Sequence, residues 1–132
     1  MVCLDTTFIA DLFRKNPAAE KKLEELVEAY EAISVTVITL AELYYGAFKS
    51  KRFETEKAKI EQVKHEFLIL HMDELAAEEF GELLSSLEKS GKKISDRDVL
   101  IAAIAISKGE KAIVTKNDKD FARIPELSII SY

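Results

Sequence analysis

This 132-residue chain has one cysteine, two histidines and four glycines that stand singly. The lone thiol, Cys3, excludes an intrachain disulfide, and its apolar surroundings are those of a small buried hydrophobe. Neither histidine, His65 or His71, has a metal-spaced partner, which excludes a Cys/His zinc site. Isolated glycines make no phosphate-cradling loop, and no Ser, His and Asp fall into a hydrolase order. No apolar run approaches the ~18 residues that span a bilayer. The N-terminus lacks a basic segment followed by a long apolar one. A cytoplasmic protein with no membrane contact is expected. Positive charge is also short: 19 Lys and Arg face 24 Asp and Glu, for a net charge of −5. That argues against a protein that holds nucleic acid through a wide basic surface. It leaves open an enzyme whose own acids hold a cation.

What is present is a core-forming chain, 48% hydrophobic and 33% charged, with no repeat or linker, so residues 1–132 form one domain. Short β-branched or apolar runs predict five strands: Val2–Leu4, residues 33–35, "FLILH", "KAIVT" and "LSIIS". Helical spacing predicts helices over 7–14, 18–30, 38–48, 49–67, 73–90 and 98–107. The helix over 49–67 is highly charged, with Ile60, Val63 and Phe67 as a thin apolar stripe, and is expected to face solvent. The helix over 98–107 is apolar nearly all round and therefore buried, with Gly109 at its C-cap. Short strands alternating with helices predict an α/β fold with a central parallel sheet of about five strands covered on both faces. In such sheets ligands bind beyond the carboxyl ends of the strands.

Acids arrive at that edge from four segments. Asp5 follows the first strand, Glu42 lies near the start of the helix after the second, Asp96 and Asp98 open the buried helix, and Asp118 and Asp120 follow the fourth strand. Each has an ordinary reading. Asp5 or Thr6 can cap a helix. Thr39 with Glu42, and Ser95 with Asp98, match or nearly match a capping box. Asp118 and Asp120 suit a turn. Together, though, carboxylates on one rim repel one another unless a cation joins them, and hard oxygen donors suit Mg²⁺ or Mn²⁺. Asp11 is taken as an exposed acid outside the cluster.

Four stretches, "LDTTFIADL", "ISVTVITLAELYYGA", "GKKISDRDVLIAAIA" and "AIVTKNDKDFARIPEL", in this order resemble the PIN-domain ribonucleases, specifically the VapC-type toxins. The resemblance implies a three-layer α/β/α PIN-like fold and an Mg²⁺- or Mn²⁺-dependent endoribonuclease. It implies the toxin half of a toxin–antitoxin pair, held inactive by a VapB-like antitoxin and forming a homodimer. The family's strand-end Asp matches Asp5, its helix-borne Glu matches Glu42, and its third acid matches Asp98, with Asp96 a frequent neighbour. The fourth polar position falls among Asn117, Asp118 and Asp120. Thr7 stands where the family often has Asn, and Thr115 matches its strand-end Thr.

On this reading Asp5, Glu42 and Asp98 are catalytic. Asp5 and Asp98 are the main metal ligands, Glu42 binds through water or acts as base, and Asp96, Asp118 or Asp120 completes a second ion site. Thr7, Thr115 and Asn117 position the substrate. Lys92, Lys93, Arg97, Lys116, Lys119 and Arg123 are rim cations for RNA phosphates. Tyr44 and Phe48, with the stripe over 49–67, are expected to form a groove for an amphipathic antitoxin segment whose basic tip enters the acidic site. Two other readings compete. A receiver-type signalling module would use Asp73 after the third strand and Lys116 after "VT". A non-catalytic PIN-like domain would only bind RNA or a partner.

Overall fold

The computed structural model describes residues 1–132. Twelve elements run in the order β1 (Val2–Leu4), α1 (Thr6–Phe13), α2 (Pro17–Ala29), β2 (Ile33–Thr36), α3 (Val37–Lys49), α4 (Phe53–Glu66), β3 (Leu68–Leu70), α5 (Glu74–Lys89), α6 (Asp96–Ser107), β4 (Ala112–Val114), α7 (Asp118–Phe121) and β5 (Ser128–Ile130). The five strands form one sheet in the order β3-β2-β1-β4-β5. All four pairings are parallel. The fold is the three-layer α/β/α arrangement expected from the sequence.

Alternation along the strands sorts the apolar residues into two cores, one on each face. Val2 and Leu4 pack with Phe8, Ile9, Leu26, Val35, Val63 and Val114, under α1, α2 and α4. Ile113, one residue from Val114, joins Leu83, Leu87, Val99, Ile101 and Phe121, under α5, α6 and α7. The α6 run Ile101–Ala105 is wholly buried, as its apolarity on every side predicts. Gly109 ends α6 with φ +83, a left-handed geometry that glycine adopts without strain. No helix is long and apolar enough to cross a membrane.

Two expectations change. The stripe on α4 is not a solvent-facing ribbon: Ile60 is 1% and Val63 5% exposed, because this charged helix lays its one apolar edge against the sheet layer. Val63 and Phe67 do line a groove, of about 410 Å³, but with Leu12, Phe13 and Leu23 of α1 and α2 rather than with Tyr44 and Phe48. The acids after β4 are not in a plain turn either. They lie on α7, a single helical turn too short to show a period in the sequence.

The strand order places the site. The chain leaves β1 for β2 and β3 on one side, then returns to lay β4 and β5 on the other. The carboxyl ends of β1 and β4 thus diverge at the switch point of the sheet, where parallel α/β folds open a crevice.

Candidate functional site

Asp5 closes β1 and opens α1. Its amide still belongs to the sheet, donating to the Val114 carbonyl at 3.0 Å. Its side chain caps the helix: Oδ1 accepts from the Phe8 amide at 3.1 Å and from the Thr7 hydroxyl at 2.7 Å. Oδ2 accepts from the Thr115 hydroxyl, at the end of β4, at 2.7 Å. The residue is 1% exposed. Burial pushes its pKa above the ordinary aspartate value; Thr7, Thr115 and the Phe8 amide oppose the rise, and the charge of Asp98 adds to it. The cap and the cluster are therefore one and the same arrangement, and all three donors are neutral.

Glu42 lies in the second turn of α3. Thr36, not Thr39, caps that helix, its hydroxyl oxygen accepting from the Thr39 amide, so the Thr39–Glu42 capping box does not form. Glu42 instead accepts from the Thr6 hydroxyl at Oε1 (2.8 Å), and Arg97 approaches Oε2 at 3.5 Å. Asp98 is the third residue of α6, and its amide donates to the cap, Ser95 Oγ, at 3.2 Å. Asn117 Nδ2 donates both to Asp98 Oδ2 and to Asp120 Oδ2, each at 3.0 Å. Burial pushes the Asp98 carboxyl up, Glu42 and Asp120 add to the rise, and Ser95 and Asn117 counter it.

These side chains line one open crevice of about 330 Å³: Asp5, Thr6, Thr7, Glu42, Arg97, Asp98 and Asn117 face it. Of the three candidates for the fourth position, Asn117 enters the crevice and Asp120 stands behind it. Asp118 turns outward, with its Oδ1 bonded to the Lys119 amide. Asp96 lines a separate pocket with Lys92 and Lys93. Among the rim cations, Arg97 reaches the crevice. Lys116 gives its amide to Thr7 Oγ1 at 3.0 Å while its ammonium turns to Asp11. Arg123 is tied to the Lys93 carbonyl, and Lys119 is exposed. Asp73, central to the receiver-type reading, caps α5 and pairs with Lys108 outside the crevice.

Sequence reasoning missed two residues. Thr6 was weighed only as a cap, yet it links Glu42 to Thr39, whose hydroxyl lies 3.0 Å away. Asp11 is not exposed but 6% accessible. Its position three residues after buried Phe8 was the available signal, since that spacing shares one helix face.

The donor chemistry suits a divalent ion: hard oxygens from three elements, two of them on carboxyls that repel each other. No three His, Cys, Asp or Glu side chains stand close enough to make a ready-built ligand set. The hydrogen bonds explain the spread, since Thr6 and Arg97 hold Glu42 while Asn117 draws Asp98 toward Asp120. The residues fit such an ion by charge and donor type, with Asp5 and Asp98 as the pair least compensated by the protein.

Comparison with known proteins agrees with this architecture. The PIN domain profile matches residues 2–127. Ribonuclease VapC2 from Rickettsia felis is 35% identical over 124 residues, covering 94% of this chain and 92% of the relative. The tRNA(fMet)-specific endonuclease VapC of Shigella flexneri is 33% identical over 121 residues, covering 92% and 89%. The crystal structure of VapBC2 from Rickettsia felis bound to a DNA fragment from their promoter contains a chain that superposes with a TM-score of 0.90 at 33% identity, covering 100% of this chain and 99% of that one.

Proposed function

The chain belongs to the PIN-domain family, among its VapC ribonucleases, and from that premise we propose that it is a divalent-metal-dependent endoribonuclease, the toxin of a VapBC-type pair. The observation that carries the proposal is the crevice at the β1/β4 switch point, where buried Asp5 and half-buried Asp98 both have raised pKa values, Asp5 partly through the charge of Asp98 and Asp98 partly through Glu42 and Asp120, and meet only neutral donors. Asp5 and Asp98 would hold Mg²⁺ or Mn²⁺, with Glu42 and Asp120 in supporting roles. A bound divalent ion acidifies water and neutralises the phosphate under attack. Glu42 is oriented through Oε1 by Thr6, and its Oε2, which Arg97 approaches at 3.5 Å, would be the basic edge for a proton of the attacking water once Arg97 turns to phosphate. Thr7, Thr115 and Asn117 fix the two aspartates. Arg97 trades Glu42 for an RNA phosphate, since a guanidinium serves both oxyanions with the same fork. Asp96 and Asp118 lie outside the crevice and would serve an outer site rather than the first ion.

The whole chain, residues 1–132, works as one PIN domain, as a homodimer in the cytoplasm. Its substrate is RNA, and the tRNA specificity named for the Shigella relative makes tRNA the first candidate. Its inhibitor is a VapB-like antitoxin, a partner supported by the VapBC complex among its structural neighbours. The apolar groove between α1, α2 and α4 offers that antitoxin an anchor. A basic tip on the same segment would pair with the acids of the crevice. The direct test incubates the purified protein with tRNA and with a short single-stranded RNA, with Mg²⁺, with Mn²⁺ and with chelator. Cleavage that needs the ion and is lost in Asp5→Asn supports the reading. Cleavage that survives chelation, or that Asp5→Asn leaves intact, overturns it.

A further inference from the structure

Beside the crevice, on the outer face of α1, lies a second charged cluster with a different balance. Asp11 is buried, and three groups converge on it. Tyr132 donates its hydroxyl to Oδ2 at 2.6 Å. Arg14 donates to Oδ1 at 3.1 Å. The Lys116 ammonium stands 3.4 Å from Oδ2. The burial is uneven: the Asp11 side chain is 8% exposed, against 72% for Arg14 and 64% for Lys116. The carboxylate is underneath and the two cations are on top. Two positive charges over one negative leave a net of +1 facing solvent, on a protein whose formal charge is −5.

The cluster has fixed supports. Tyr132 packs edge-on to Phe8, with ring centroids 4.8 Å apart and planes at 78°. Phe8 is fully buried in the core. The tyrosine hydroxyl is thus held by the core and in turn holds Asp11 Oδ2. The cluster is also joined to the crevice through one residue. The Lys116 amide donates to Thr7 Oγ1, whose hydroxyl donates to Asp5. Lys116 therefore has its backbone amide bonded to Thr7 of the crevice lining and its ammonium on Asp11. Arg14 spends one of its five N–H donors on Asp11, and Lys116 spends one of three, so donors for an oxyanion remain on both.

We propose that Arg14 and Lys116 form a cationic subsite for an RNA phosphate neighbouring the one that is cut, and that Asp11, anchored by Tyr132, is the positioning residue that holds the two cations together. This rests on the endoribonuclease reading and extends it to a site beyond the carboxylates. A polyanion entering an acidic crevice needs a foothold next to it, and paired donors on one flank supply a foothold with a fixed direction. Asp11 is not a catalytic residue here. It acts only through Arg14 and Lys116.

The sign of one substitution tests the idea. By charge alone, Asp11→Asn removes a negative group and should tighten binding of any polyanion. If Asp11 holds the cations in place, the same change should weaken binding. The measurement is fluorescence anisotropy of a labelled single-stranded RNA with the full-length protein and no added divalent ion, repeated across salt concentrations. Because no cleavage is read, its failure is separable from failure of the nuclease reading. Arg14→Gln and Lys116→Gln should each weaken binding about fivefold at 0.1 M salt, each lost phosphate contact taking about 0.7 from the salt slope. Asp11→Asn should weaken binding and lower the slope. Placed in the Arg14→Gln/Lys116→Gln background, it should reverse sign and tighten binding, since only its charge effect is left. Tyr132→Phe keeps the ring contact and should shift binding in the same direction as Asp11→Asn, by less. In the cleavage assay these variants should raise KM and leave kcat within about twofold, as loss of uniform binding does. Tighter or unchanged RNA binding in folded Asp11→Asn would overturn the proposal. So would unchanged binding in Arg14→Gln and Lys116→Gln, variants at exposed side chains whose folded state is checked by circular dichroism.

Discussion

Asp5 and Asp11 bound the same helix, one as the N-cap of α1 and the other two turns on, and both are buried. Burial alone pushes any carboxyl pKa up. Asp5 rises, but Asp11 falls below the ordinary aspartate value, held down first by the Tyr132 hydroxyl and then by Lys116 and Arg14. Each has three polar partners, so the number of partners does not separate them. Their charge does. The donors to Asp5 are two hydroxyls and an amide, and the ionic group that acts on it is another acid, Asp98. Asp11 has an arginine and a lysine. A buried carboxylate neutralised within the chain belongs to the fold. One left beside further acids is completed by a cation from outside. Glu110 is a third case, at the opposite end of the sheet: it is 1% exposed, and neither carboxyl oxygen has a hydrogen-bond partner.

The sharpest way to break the contrast is to neutralise each residue in turn. Asp5→Asn should lower the rate of RNA cleavage by about 10²–10³-fold, the range lost with one strong electrostatic contributor to a transition state. Its melting temperature should hold or rise, because one charge leaves a repelling group. Full activity in this variant would reduce Asp5 to a helix cap.

The second test adds the ion. Saturating Mn²⁺ at 100 times its dissociation constant should stabilise the wild type by about 2.7 kcal/mol, read as a rise in melting temperature. Asp98→Asn should lose most of that rise. An equal shift in both proteins would put the ion elsewhere.

Asp11→Asn should behave in the opposite way to Asp5→Asn, losing about 1–3 kcal/mol of stability in urea titration, as broken buried hydrogen bonds to charged groups do. The pH dependence has a definite sign. A depressed carboxyl stabilises the fold above its unfolded pKa and loses that contribution as pH falls through the folded value. The penalty for Asp11→Asn should therefore be full at neutral pH and shrink on acidification below about 3.8, the ordinary aspartate value. A constant penalty from pH 7 to pH 2 would contradict the ion-pair origin.

The smallest effect is expected at Glu110. Burial raises its pKa, so its contribution is most favourable below the ordinary 4.5 and is lost as pH rises through the folded value. Glu110→Gln should be near neutral at pH 4 and stabilising at pH 8, read by urea titration at the two pH values. A variant less stable than wild type at pH 8 would mean that the carboxylate has a partner.

The acidic-crevice side of this contrast was legible before the structure, and the reasons are local. Asp5, Glu42 and Asp98 each sit where an apolar strand gives way to a helix or where an apolar helix begins. A parallel sheet carries all such junctions to one edge, so three strand ends and one helix start were enough to bring the acids together. The choice among Asn117, Asp118 and Asp120 was not legible, because it depends on the rotation of α7, one turn long. Asn117, the residue before that turn, enters the crevice, Asp120 stands behind it as a hydrogen-bond partner, and Asp118 faces out. The burial of Asp11 is signalled only by its sharing a helix face with Phe8, while its partner Tyr132 lies 121 residues away in sequence, a contact that periodicity cannot reach. The stripe on α4 was seen correctly, but its direction was not, since a charged helix with one apolar edge reads alike whether that edge meets the core or a partner.

The most direct test is a calorimetric titration of Mn²⁺ into three proteins, wild type, Asp5→Asn and Asp11→Asn, at neutral pH and one ionic strength. Saturable binding is predicted in the wild type and in Asp11→Asn, with loss of the heat in Asp5→Asn. Equal binding in all three, or loss in Asp11→Asn with retention in Asp5→Asn, would contradict the assignment of the cation to the Asp5 end of the helix.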